Sequence, residues 1–136
     1  MAARSPITIA HEGASMVRKV TTYLMFTGQA ADALALYTDV FPESENSLRD
    51  GPVYMADWSL AGHDVLLVDS PPVHEFTFTP SVSLFVDFDD AAALDAAFGK
   101  LSDDGQVMMP LDNYGFSQRF GWVSDRFGVS WQLNLP

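Results

Sequence analysis

The sequence predicts an α+β fold made of two similar halves, each running strand, helix and then two or three further strands. Set side by side, the halves would form an open barrel with helices outside and a cup inside. Three observations carry this reading. Stretches with apolar residues at every second position are interrupted twice by stretches of helical spacing. The strand-plus-helix pattern that starts near Lys19 recurs from Ser81, with Leu24 and Leu84 in equivalent places. Between the two, Pro71, Pro72 and Pro80 bound an irregular stretch that reads as a connector.

The elements follow in order. KVTTYLMF (19–26) is rich in β-branched and aromatic residues and predicts a strand. After Gly28, QAADALALYTDVF places Ala30, Leu34, Tyr37 and Phe41 on one helical stripe, which Pro42 ends. VYMADWSL (53–60) returns to period two, with Tyr54, Ala56, Trp58 and Leu60 on one face. Ala61-Gly62 signals a tight turn, and HDVLLVD (63–69) pairs back as a hairpin. In the second half, SVSLFVDF (81–88) predicts a strand with Val82, Leu84 and Val86 as its apolar set and Ser81, Ser83 and Phe85 opposite. Asp89 or Asp90 can cap a helix carrying Leu94, Ala97, Phe98 and Leu101, and Gly105 sits where a left-handed C-terminal residue belongs. QVMMPL, QRFGWVSD and VSWQLNL then read as strands, the last two joined by an Arg-Phe-Gly turn. In the closing strand Val129, Trp131, Leu133 and Leu135 would pack under helices, while Ser130, Gln132 and Asn134 would face the cup. A half-buried strand facing plain solvent shows the same alternation, so both readings stay open.

With 136 residues and 48% hydrophobic content, the chain can bury one substantial core. Residues 1–16 read as a polar N-terminal extension, with Met16 as an alternative start. Residues 17–136 read as one domain, in modules of about 17–70 and 80–136. Eighteen acidic against seven basic side chains leave a net charge of -11, which repels phosphate backbones and anionic membrane surfaces. No apolar run approaches the roughly 18 residues that span a bilayer, and no secretory signal is evident. With no cysteine, disulfides, thiolate nucleophiles and Cys-based zinc sites are excluded, which suits a cytoplasmic protein.

Few residues announce chemistry. Of the three histidines, His11 falls in the extension, His63 at a strand start, and His74 in the connector. His74-Glu75 opens an H-E-x-x-H pattern, but Phe78 stands where the second histidine should be. Asp87, Asp89 and Asp90 fit a helix start better than an acid/base pair. Asp125 and Gly128 read as shaping a hairpin turn. Asp57, in mid-strand on the face opposite Trp58, is a candidate if that face lines the cup. Tyr54, Trp58, Phe85, Phe120 and Trp122 supply aromatic surface for a flat or apolar ligand. No glycine-rich nucleotide loop, P-loop or serine-nucleophile motif appears.

FTGQAADALALYTDVF, EFTFTPSVSLFVDFDD and above all FGWVSDRFGVSWQLNLP resemble the PhnB-like branch of the vicinal oxygen chelate superfamily, over about residues 18–136. That superfamily includes glyoxalase I, bleomycin-resistance proteins and extradiol dioxygenases, and members of this branch often carry the label 3-demethylubiquinone-9 3-methyltransferase. The resemblance implies two βαβββ modules, a cup-shaped site, usually a homodimer, and metal ligands on the first and last strands of each module. Carried over, those ligand places fall at Thr22, Ser81 and Gln132, with the fourth near Val68 or Asp69. Thr, Ser and Gln are neutral and bind transition metals weakly, so no tightly bound metal and no other cofactor is expected.

The expectation is therefore a metal-free, homodimeric, cytoplasmic protein that binds a small molecule, with neither nucleic acid nor membrane as partner. Pocket candidates are Thr22, Asp57, Ser81, Phe85 and Gln132. The alternative is a metal-dependent lyase, isomerase or dioxygenase-type enzyme using Asp69, Asp57 or His63. A non-catalytic interaction module with a self-filled cup is a third possibility, and methyl transfer is not expected.

Overall fold

The computed structural model describes residues 16–136. The expected N-terminal extension, with His11, therefore lies outside the described residues except for Met16. The first module contains β1 (Thr22–Phe26), α1 (Ala30–Val40), β2 (Glu45–Leu48), β3 (Met55–Leu60) and β4 (His63–Asp69). The second contains β5 (Ser83–Asp87), α2 (Ala91–Ser102), β6 (Gln106–Asp112), β7 (Arg119–Ser124) and β8 (Ser130–Leu135). Each module is βαβββ with a four-stranded mixed sheet, ordered β1-β4-β3-β2 in one and β5-β8-β7-β6 in the other. In each the first strand lies parallel to the last, and the other neighbours are antiparallel. Neither sheet closes on itself.

Local chemistry explains most boundaries. The β3–β4 hairpin turns on Ala61 and Gly62 at φ 51° and 83°, the paired positive angles of a type I′ turn. Asp90 caps α2 by accepting from the Ala93 amide at 2.9 Å. Three expectations are corrected. The strand expected from Ser81 starts at Ser83, and Val82 is 71% exposed rather than part of the apolar face. Strand β2 was missed because ENSL has no apolar alternation; it is an exposed edge, held by its antiparallel register with β3. The left-handed residue after α2 is Asp104, at φ 57°, and not Gly105.

One hydrophobic cluster joins both modules. The predicted helical stripes supply it: Ala30, Leu34 and Tyr37 of α1, and Leu94, Ala97, Phe98 and Leu101 of α2, are all buried. So do Trp58 of β3 and Val129, Trp131 and Leu133 in and before β8. Trp58 and Trp131 meet edge-on at 6.1 Å, with Tyr37 at 5.5 and 5.1 Å from them and Phe41 at 6.0 and 5.5 Å. Each large side chain buried this way contributes about 1.5–3 kcal/mol. An aromatic cluster therefore holds the modules together, and α1 also touches α2.

Candidate functional site

A cleft of about 510 Å³ opens between the modules. Thr22, Leu60, Ala61 and His63 line it from the first sheet, and residues 83–87 of β5 line it from the second, with Trp58 and Trp131 also contributing. The parallel register of β1 on β4 puts Thr22 opposite Val65 and so close to the start of β4. Thr22 Oγ1 and His63 Nε2 are consequently 3.0 Å apart, forming one polar pair on the cleft wall. His63 read as a turn residue because its partner lies 41 positions away, beyond the reach of any local pattern.

The second sheet carries a connected polar group. Ser83 stands opposite Ser130 in the β5–β8 ladder, and their hydroxyl oxygens are 2.7 Å apart. The Trp122 indole N–H donates to Ser130 Oγ at 2.8 Å, and Gln132 Nε2 donates to Ser83 Oγ at 3.1 Å. Asn134 Nδ2 donates to Asp87 Oδ1 at 2.8 Å. Ser130 is 1% and Asn134 8% exposed, so these groups are fixed by burial and not waving in solvent. Phe85 faces Gln132 across the ladder and is 56% exposed; its ring is 6.3 Å from that of Phe120, which Tyr114 and Phe116 also touch.

The five sequence candidates thus separate. Thr22 and Phe85 line the cleft, and Gln132 sits behind it, bonded to the cleft residue Ser83. Ser81 does not take part: it precedes β5, is exposed, and contacts Thr79. Ser83 takes the place that Ser81 was given, because the strand starts two residues later than its composition suggested. Asp57 is also elsewhere. It accepts two hydrogen bonds from Arg49 at 2.8 Å, and that bonding holds its carboxyl below the usual aspartate range. The pair is exposed, so it contributes little to stability.

The residues at the superfamily's ligand places do not suit a metal. Val68 is buried and apolar. The Asp69 carboxylate is engaged, since one oxygen accepts from the amides of Gly28 at 3.0 Å and Ala30 at 2.9 Å. It caps α1, whose own N-cap residue Gln29 makes no side-chain cap. Thr22, Ser83 and Gln132 offer only hydroxyl and amide groups. Among the described residues no group of three or more His, Asp or Glu is placed to hold a metal ion. This donor set does not fit a transition metal. Nor do the residues fit a methyl-donor nucleotide. The helix N-termini after the parallel strands, which would receive an anionic cofactor tail, are filled by Asp69 and Asp90.

Residues 18–134 match the family model described as 3-demethylubiquinone-9 3-methyltransferase. The PhnB protein from Bacillus cereus is 42% identical, covering 88% of this chain and 100% of its own, with a TM-score of 0.80. Protein YjdN of Escherichia coli strain K12 is 24% identical, over 85% of this chain and 94% of its own length. A glyoxalase/bleomycin resistance protein/dioxygenase superfamily member from Sphaerobacter thermophilus shares the fold at TM-score 0.60 and 18% identity, covering 90% of this chain and 100% of its own.

Proposed function

The chain belongs to the 3-demethylubiquinone-9 3-methyltransferase (PhnB-like) family, within the fold of the glyoxalase/bleomycin-resistance/dioxygenase superfamily; from that premise we propose that it binds a small organic molecule in the cleft between its modules without using a metal. One observation carries the reading. The side chains at the metal-ligand places are either neutral and bonded to one another, as Gln132 is to Ser83, or committed to the fold, as Asp69 is to α1. A cleft lined by apolar side chains, the open ring of Phe85 and the hydrogen-bonded hydroxyls of Thr22 and Ser83 suits capture of a ligand by shape and hydrogen bonding. Of the side chains that could hold a metal in unorthodox fashion, Asp57 pairs with Arg49 and His63 with Thr22, so each already has a partner.

Metal analysis of protein purified without chelator tests this. Less than about 0.1 equivalent of Ni, Zn, Mn or Fe is expected, and stoichiometric metal in the folded protein would sink the proposal.

Two further parts of the reading concern the setting of the site. The net charge of -11 disfavours nucleic acid and anionic membranes as partners, no helix among the described residues is long and apolar enough to cross a membrane, and the cysteine-free chain suits the cytoplasm. A homodimer is supported by an apolar side chain left open on β1, at the edge of its sheet and outside the cleft lining: Tyr23 is 55% exposed. Light scattering should give the mass of two chains, and a mass near one chain would refute this part.

A further inference from the structure

We propose that the ligand of this cleft is a small organic cation, an amine or ammonium group carried on a flat apolar body. The inference rests on the binding reading above and takes it to the charge of the ligand. Three features of the cleft support it. Its open aromatic wall is the ring of Phe85, 56% exposed, and aromatic faces attract cations; Trp58 and Trp131, 2% and 0% exposed, lie buried beneath it. Among the described residues the cleft's one carboxylate is Asp87, and no lysine or arginine lines it. An anionic ligand would therefore meet the negative charge of Asp87, and the one basic side chain among the described lining residues, His63, already shares a hydrogen bond with Thr22.

The Asp87 carboxylate is also held in place. Asn134, itself 8% exposed, donates to Asp87 Oδ1 at 2.8 Å, which orients the group and leaves its second oxygen for a ligand. Asp87 and Ser83 end the same five-residue strand, roughly 13 Å apart at extended-strand spacing. That length accommodates an apolar body beside Phe85 with a charged end at Asp87. The net charge of -11 adds a long-range attraction for cations that salt would screen.

Three probes of one shape and different charge test this: 2-phenylethylamine, 2-phenylethanol and 3-phenylpropionate, each titrated calorimetrically at low salt and pH 8. The amine should bind at least tenfold more tightly than the propionate. Asp87→Asn, which keeps an acceptor for Asn134, should bring the amine within about twofold of the alcohol. Phe85→Ala, at an exposed position, should weaken the amine and alcohol alike. An alcohol that binds as tightly as the amine overturns the charge inference and leaves the cleft as a binding site. An Asp87→Asn variant that keeps the amine's full advantage overturns the charge inference in the same way. Binding by none of the three to the unaltered protein overturns the binding reading as well.

Discussion

Replacing Asp125 with alanine is expected to destabilise the protein by about 4 kcal/mol, the scale seen when one partner of a buried charged network is removed. Asp125 is 3% exposed and its carboxylate accepts four hydrogen bonds. Two come from the Phe127 and Val129 amides, at 2.9 and 3.1 Å, and close the β7–β8 turn. The other two come from the Tyr37 hydroxyl at 2.7 Å and the Trp131 indole N–H at 2.9 Å. Alanine would strand donors that water cannot reach, at about 1–3 kcal/mol for each one left unsatisfied. Urea denaturation of Asp125→Ala and Tyr37→Phe gives the comparison. The tyrosine variant removes one donor with its hydroxyl, so it should lose only about 1 kcal/mol. An alanine variant within about 1 kcal/mol of the parent would contradict this assignment. The same contact has a signature in pH. Burial first, and then the charge of Asp125, holds the Tyr37 phenol well above the usual tyrosine range. The unfolded chain therefore releases this proton more readily than the folded one. The associated stability is intact below the ordinary tyrosine value of about 10 and is lost as pH rises above it.

Asp125 shows where a linear reading stops. Its turn-shaping role was legible, because an aspartate two residues before a Phe-Gly pair commonly bonds the amides ahead of it. Its bond to Tyr37 crosses 88 positions and joins α1 to the second sheet, a pairing with no local signal. The fold was legible for a related reason. Period-two and helical spacing are local, and the resemblance in FGWVSDRFGVSWQLNLP supplied the topology that periodicity alone left open. The polar face of β8 was only half readable. Alternation marked Ser130, Gln132 and Asn134 as a set, yet Ser130 and Asn134 are buried and bonded to side chains of β5 and β7 rather than open to a cup. The site residues that the sequence misplaced share one cause. Ser81 follows from the resemblance carried onto a strand end, where boundaries are least determined, and His63 has its place only through the β1–β4 register.

Gly105→Ala is expected to cost about 3 kcal/mol or more, while Gly99→Ala should stabilise by about 0.5–1 kcal/mol. Both glycines lie in or just after α2, and neither has a positive φ that would demand glycine. Only their surroundings differ. A Cβ at Gly105 would overlap the Ser124 carbonyl oxygen and come within 2.9 Å of the Leu101 carbonyl oxygen. These are backbone atoms at the ends of β7 and α2, so relief requires a helix end or a strand end to move. Gly105 is thus a point of close approach between α2 and the second sheet, and the left-handed turn that the sequence assigned to it is made by Asp104. At Gly99 an added Cβ meets nothing within 4 Å, so alanine gains helix propensity and loses no contact. Thermal melts of the two single variants read the contrast directly. If Gly105→Ala melts with the parent, α2 is not seated against β7 as described. The consequence would reach the cleft, because Ser124 pairs with Ser130, and Ser130 in turn fixes Ser83 on the cleft wall.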